Sequence, residues 1–297
     1  MKTSLLKLFL KRMQDTIHML TSLSKKYNDL PVLFNILWIP LELLRRFYFR
    51  FGIDVRLPLL VPIKLPKGLQ IIWRPKTGLE IFGLLRDIWI YEEYALPKEI
   101  HLKRWEPHVV VDGGAHVGIF SLYAAKILRA KYVVAIEPEG ENFRLLLQNL
   151  VKNKVQGLCL KVALHKDGLV SLRKHLASVA HSIVAAPKRS WGIELVRSIS
   201  LRTLLKLLYK LYGIEQIDVL KLDIEGAEIP LLQDSEDLLK HRRILLLFID
   251  LSDTLRIHGI VKAMEIIKLL SSSGYKVKIR KVGSQEIVLV AAIPNCI

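Results

Sequence analysis

The chain has 297 residues, 51% of them hydrophobic, enough for one sizeable α/β core and a smaller appendage. Its formal net charge of +17 concentrates anionic partners such as nucleic acid, lipid headgroups or acidic glycans, without choosing among them. Two cysteines, Cys159 and Cys296, lie far apart without metal-ligand spacing, which argues against a disulfide framework or a cysteine zinc site and for a reducing, intracellular compartment.

In chain order, residues 4–20 read as a basic amphipathic helix, with Leu6, Phe9, Leu10, Met13, Ile17 and Leu20 at helical spacing and Lys7, Lys11 and Gln14 off that stripe. Lys7 also breaks the apolar run that a secretory signal would need. Residues 30–60 are rich in Leu, Trp, Phe and Tyr, with Arg45, Arg46, Arg50 and Arg56 interleaved. No stretch reaches the roughly 18 apolar residues of a spanning helix. The nearest, Leu30 to Leu44, is broken by Pro31, Asn35, Pro40 and Glu42. Such a segment packs on a neighbouring domain or lies on an anionic membrane surface. The expected location is cytoplasmic, with peripheral contact at the inner membrane face through residues 1–60 as the variant. Short strands at 57–63 and 69–73 and a helix over 80–94 complete an N-terminal extension of residues 1–99. The catalytic domain is expected over 100–297.

That domain is organised around Val109-Val110-Val111-Asp112-Gly113-Gly114-Ala115-His116-Val117-Gly118. Three β-branched residues form a buried strand that stops at an acid and a glycine pair, and an apolar helix follows. Glycines there allow a tight turn and remove Cβ atoms that would hold a ligand off the backbone. A second apolar strand, 132–136, ends in Glu137-Pro138, where an acid can accept both hydroxyls of a ribose. Glu137 follows Asp112 by 25 residues, room for one crossover helix and a return strand. The order D-G-G-A-H-V-G departs from the three-glycine dinucleotide fingerprint. It points to a nucleoside ligand without a pyrophosphate, such as S-adenosylmethionine, rather than NAD. The plainer alternative is a structural glycine turn.

Helices over 118–129 and 139–153 and a strand over 158–163 continue the alternation expected of a parallel sheet covered on both faces. Asp167-Gly168 opens a hairpin with arms at 169–175 and 196–201, and its loop carries Ala180-His181-Ser182. A helix over 201–212 leads to a strand over 217–222. That strand ends in Asp223-Ile224-Glu225-Gly226-Ala227-Glu228, where an open α/β sheet puts its chemistry. Strands at 244–249, 275–281 and 286–292 and a helix near 259–272 complete the domain, the last two strands antiparallel. Asp223, Glu225 and Asp250 are hard-cation ligands by type, but no spacing demands a metal.

Taken together, Val-Asp-Gly-Gly-Ala-His-Val-Gly, Glu137-Pro138 with Phe143, Leu147 and Asn149, Ala163-Leu164, and Lys221-x-Asp223-x-Glu225-Gly226-x-Glu228 resemble the FkbM family of S-adenosylmethionine-dependent methyltransferases. Arg74-Pro75-Lys76-Thr77 and Glu93-Tyr94 resemble its lead-in, so the resemblance spans roughly residues 70–292. It implies a Rossmann-like class I methyltransferase fold, with a mostly parallel seven-stranded sheet and an antiparallel last strand. It also implies O-methyl transfer to a hydroxyl of a glycan, a lipid-linked sugar or a secondary metabolite. By position, Asp112, Gly113, Gly114, Ala115 and Gly118 would hold the methionine part of the cofactor. Glu137 with Pro138 would hold the ribose, and Asp223 would sit beside the sulfonium and the incoming hydroxyl. The chain departs from the family at His116, where members often carry Asn. It departs again after Asp250, where an acid-x-His pair is usual and His258 lies further along.

Asp223, Glu225 and His181 are the candidate bases, with Asp223 ranked ahead of His181. RNA methylation is a rival suggested by the charge, although no aromatic-interleaved RNA module is visible. A membrane-surface scaffold with a vestigial fold is a rival of another class, and the intact acids argue against it.

Overall fold

A computed structural model of the chain describes residues 2–29, 35, 60–74, 80–98, 105–175, 181–184, 190–282 and 286–294. The basic aromatic stretch with Arg45, Arg46, Arg50 and Arg56 lies outside the described residues, as does Cys296. The chain divides into two compact units, Met1–Glu92 and Glu93–Ile297.

In the first unit, α1 (Lys2–Tyr27) buries Thr16, Met19, Leu20, Leu23 and Ser24 along one stripe. The described part of the amphipathic face is therefore consumed by packing within its own unit. A hairpin of β1 (Val61–Lys64) and β2 (Gln70–Trp73) follows, with Val61 opposite Trp73. The Asn35 amide donates to the Lys64 carbonyl and accepts from its N–H, both at 2.7 Å. The helix expected over 80–94 is shorter. It runs as α2 (Glu80–Leu85) and opens into a wider π-type turn, Arg86–Ile90. That turn buries consecutive Asp87, Ile88 and Trp89, which an evenly wound amphipathic helix would spread around its circumference. Among the described residues, no helix is long and apolar enough to cross a membrane.

The second unit is a seven-stranded sheet. Its strands are β3 (Val109–Gly113), β4 (Tyr132–Ile136), β5 (Gly157–Leu160), β9 (Ile217–Leu222), β10 (Ile244–Asp250), β11 (Lys276–Val282) and β12 (Glu286–Ala292). Their spatial order is β11-β12-β10-β9-β3-β4-β5. The five strands from β10 to β5 are parallel, and β12 pairs antiparallel with both β10 and β11. The helices are α3 (Ile119–Lys126), α4 (Gly140–Lys152), α5 (Leu201–Tyr212), α6 (Glu228–Asp234), α7 (Glu236–Lys240) and α8 (Ser252–Ser272). Sheet residues such as Val111, Leu220, Leu247 and Leu289 share one core with Leu204 and Leu208 of α5 and Ile266 of α8. A small second sheet, β6 (Ala163–Leu164), β8 (Ser190–Ile199) and β7 (Gly168–His175), branches off after β5.

Other boundaries moved as well: the strand expected over 158–163 ends at Leu160, and Ala163–Leu164 joins the second sheet. The arm expected over 196–201 begins at Ser190, and α8 begins at Ser252 rather than near 259. Asp250 starts α8 by accepting the Ser252 N–H at 2.7 Å, while Gly259 interrupts the helix with φ +78°. Gly259 is thus a break inside the helix. Strand order reverses at β3, which is flanked by β4 on one side and β9 on the other. The crevice past the carboxyl ends of strands at such a reversal is the usual ligand site of an open α/β sheet.

Candidate functional site

The parallel register makes Asp112 the cross-strand neighbour of Lys221 and Gly113 the neighbour of both Ile136 and Leu222. Three strand tips therefore end side by side, carrying Asp112, Glu137 and Asp223. Asp112 is fully buried, and Ser121 Oγ of α3 donates to its Oδ2 at 2.6 Å. Lys221 Nζ lies 3.2 Å from Asp112 Oδ1 and 3.4 Å from Asp223 Oδ2. It also donates to the carbonyls of Gly114 at 2.9 Å and Gly113 at 3.3 Å. Burial alone would lower the lysine's pKa, but Asp112 and Asp223 outweigh it and hold the ammonium charged. Burial pushes Asp223 up from the ordinary aspartate range, and Lys221 opposes that rise.

A Cβ on Gly114 would lie 1.9 Å from the Asp223 carbonyl oxygen, and one on Gly113 would lie 2.8 Å from Leu164 Cδ1 and 3.0 Å from the Lys221 carbonyl. At Gly118 it would meet Leu146 Cδ1 at 2.9 Å. These glycines let the β3 and β9 tips and α4 close on one another. The loop's amides are committed as well. Gly114 and Ala115 donate to the Ile136 carbonyl, Gly118 to the Ala115 carbonyl, and His116 to Glu137 Oε2 at 2.9 Å. Amides spent this way cannot form the anion nest that a pyrophosphate needs. Asn149 of α4 donates to the Val117 carbonyl at 2.8 Å and ties the loop from the other side. His116 sits at φ +51°, in the left-handed region that Asn and His tolerate better than most residues.

Glu137 is buried, with Oε1 accepting the Glu139 N–H at 2.9 Å and Oε2 accepting from His116. Burial raises its pKa to about 7, against the pull of those two amides. The Asn142 side chain hydrogen-bonds to the carboxylate as well, so two backbone amides and one side chain fix it at the strand tip. Pro138 beside it is half-buried. Glu139 caps α4 by accepting the Glu141 and Asn142 N–H groups, and Lys174 of β7 pairs with it at 2.9 Å.

The turn after β9 is built from acids. Glu225 takes φ +57° and Gly226 φ +94°. Burial, followed by a hydrogen bond to Asp253, raises Glu225 well above the usual carboxyl range, whereas Asp253 is held low by that bond and by Arg256 despite its own burial. Arg256 also lies 3.8 Å from Glu225 Oε2. Glu228 accepts from the Ile224 N–H at 2.9 Å and from Thr254 Oγ1 at 2.8 Å, and burial raises it to about 7. Ser182 Oγ donates to the Glu225 carbonyl at 2.8 Å, and His258 Nε2 meets the Gly226 carbonyl at 2.9 Å. His258, eight residues past Asp250, therefore does reach the turn, because the break at Gly259 ends the first stretch of α8 there. His181, next to Ser182, is half-buried and its charge acts on Glu139, so it lies on the Glu137–Glu139 side. Sequence reasoning missed Lys221, Thr254 and Ser182 as builders of the site. The Lys221 signal was present: a lysine two residues before a strand-end acid shares that acid's face of the strand. Among the described residues, no group of three or more His, Cys, Asp or Glu side chains is arranged to hold a metal ion, Asp223, Glu225 and Asp250 included.

A mostly parallel seven-stranded sheet with an antiparallel edge and acids at three adjacent tips is the Rossmann-like class I methyltransferase architecture. The methyltransferase FkbM domain model matches residues 112–277, and the chain belongs to that family of S-adenosylmethionine-dependent methyltransferases. The solved structures it is similar to include a methyltransferase FkbM from Methylobacillus flagellatus, at 14% identity and TM-score 0.46, covering 74% of this chain and 55% of that one. The chain thus spans little more than half of that protein's length. A human methyltransferase 10 domain containing protein is similar at 12% identity and TM-score 0.38, over 71% of this chain and 81% of that one. M. capricolum TrmK in complex with S-adenosyl-homocysteine is similar at 11% identity and TM-score 0.37, over 67% and 69%. The family match, not these overlays, carries the assignment. A search of curated proteins returns no significant match.

Proposed function

We propose that the chain methylates a hydroxyl of a glycan, a lipid-linked sugar or a secondary metabolite. In this reading Asp112, the loop Gly113-Gly114-Ala115 with Gly118, and Glu137 with Pro138 hold the cofactor, and Asp223 receives the acceptor's proton. The observation that supports it most is the difference between the two acids on Lys221. The side chain of Asp112 has no exposure, whereas that of Asp223 is 30% exposed and open to a second molecule. The bound cofactor supplies a methyl group already activated on a sulfonium. The chain has to hold the acceptor oxygen in line with it, which is the larger contribution. A positioned base adds about 10²–10⁴-fold. Asp223 suits that task because burial raises its proton affinity while Lys221 keeps it available as a carboxylate. Glu225, hydrogen-bonded to Asp253, and His181 are the alternative bases, ranked behind Asp223. The committed loop amides favour a ligand without a pyrophosphate, which S-adenosylmethionine satisfies.

Calorimetry with S-adenosylmethionine tests the cofactor half. Binding by the wild type, weakened in Glu137→Ala, is the expected result, and an unliganded wild type would remove the assignment. Labelled-methyl transfer into a cell lysate, fractionated into glycan, lipid, RNA and protein, tests the acceptor. Label in the glycan or lipid fraction is expected. The net charge of +17 favours RNA as the second reading, and label in RNA that falls away with added salt would establish it instead.

A further inference from the structure

Lys221 is a buried cation that the methyl-transfer chemistry itself does not call for. Its side chain is 4% exposed, and its ammonium touches two carboxylates and two backbone carbonyls from two segments, 112–114 and Asp223. Its position over the Tyr94 ring, 5.9 Å from the centroid, adds a cation–π contact, and Tyr94 is packed in turn by Phe120 and Phe248. Asp112 and Asp223, on neighbouring strands, would otherwise face each other as two anions in a dry crevice. One of them would then take up a proton. The two carbonyls on Nζ belong to the turn that Gly114 presses against Asp223, so the same ammonium fixes both the turn and the charge.

We propose that Lys221 is a positioning residue for the cofactor's sulfonium: its ammonium keeps Asp112 and Asp223 ionised side by side and so sets a net single negative charge at the joined tips of β3 and β9. This rests on the cofactor reading above. Other charged groups face the same spot. Asp253 comes from α8, Glu225 and Glu228 from the turn and α6, Asp250 from the end of β10, and Glu93 with Tyr94 from the segment before β3. The cations among them are Lys221 and Arg256, which pairs with Asp253 and lies 3.8 Å from Glu225; the rest are acids, or a phenol held neutral. Removing Lys221 therefore leaves the aspartates with no cation between them, and protonation is the available relief.

The test compares S-adenosylmethionine, a sulfonium cation, with S-adenosylhomocysteine, its neutral thioether. Affinities for both are measured by calorimetry between pH 5.5 and 7.5 in the full-length protein. The wild type is expected to keep a constant ratio of the two affinities. In Lys221→Met the aspartate pair carries two negative charges at pH 7.5 and a single one once a proton is captured at the acid end, so its preference for the sulfonium should fall about tenfold from pH 7.5 to pH 5.5, which corresponds to one pKa unit. The double variant Lys221→Met/Asp112→Asn restores a single negative charge without any ammonium and should return to a flat ratio. If Lys221→Met does not fold, a folded double variant with a flat ratio supports the same charge balance. A merely structural lysine predicts equal loss of both ligands at every pH, and that result, or a double variant that still titrates or does not fold, overturns the proposal. A wild type that binds neither ligand would instead overturn the cofactor reading.

Discussion

The turns after β3 and β9 both end a buried strand in an aspartate, yet they treat it in opposite ways. The β3 turn is held largely through its own backbone groups. Its amides go to the Ile136 and Ala115 carbonyls and to Glu137, its carbonyls to Lys221 and Asn149, and Gly114 closes on the Asp223 carbonyl. The β9 turn is held by side chains. Ser182, Thr254, Glu228, Asp253 and His258 reach it from three segments, the loop at 181–184, α6 and α8. Backbone closure makes a rigid seat, whereas side-chain closure leaves protonation and rotamers adjustable. The division suits a seat for a cofactor beside a base that must gain and lose a proton.

The contrast breaks most severely at Gly114→Ala. The added carbon would overlap the Asp223 carbonyl at a φ of +75° that an alanine resists, so both turns must shift together. A loss of at least about 3 kcal/mol in urea unfolding is expected, and near wild-type stability would show that the tips are not in contact. Next comes a pair of variants. Asp112→Ala removes the fully buried partner of Lys221 and should cost about 3–5 kcal/mol. Asp223→Ala leaves that ion pair in place and should cost about 1 kcal/mol, while lowering turnover about 10²–10⁴-fold. Equal stability losses in the two variants would erase the distinction between seat and base.

The smallest effect concerns pH. Burial lifts Glu228 to about 7, so the folded state holds its proton more tightly than the unfolded chain does. Its contribution to stability is complete below the ordinary glutamate range and fades as pH rises through about 7. Glu137 behaves likewise on the β4 side. Stability measured from pH 4.5 to 7.5 should therefore fall as pH rises, and Glu228→Gln should remove up to about 3 kcal/mol of that fall. The Glu137 portion should remain. An unchanged slope in the variant would mean that Glu228 titrates as it does in solvent.

Much of the site was legible before any coordinates. Asp112, Glu137 and Asp223 stand at strand ends because a period-two or continuous apolar run stops there, and the run, the acid and the following glycine are all local in sequence. The same locality gave the strand and helix alternation, and hence the parallel sheet and the reversal at β3. The start of α8 was harder to read, since Ser252, Asp253 and Thr254 resemble loop chemistry until Asp250 is seen capping them.

What the amino-acid order determined alone was therefore the set of strand-end acids and the sheet that gathers them. Only the folded chain decided that Lys221 bridges two of those acids, that Glu225 hydrogen-bonds to Asp253, and that Gly114 closes on the Asp223 carbonyl. Each depends on register between segments distant in the chain and on exclusion of water, neither of which is encoded in any short window of residues.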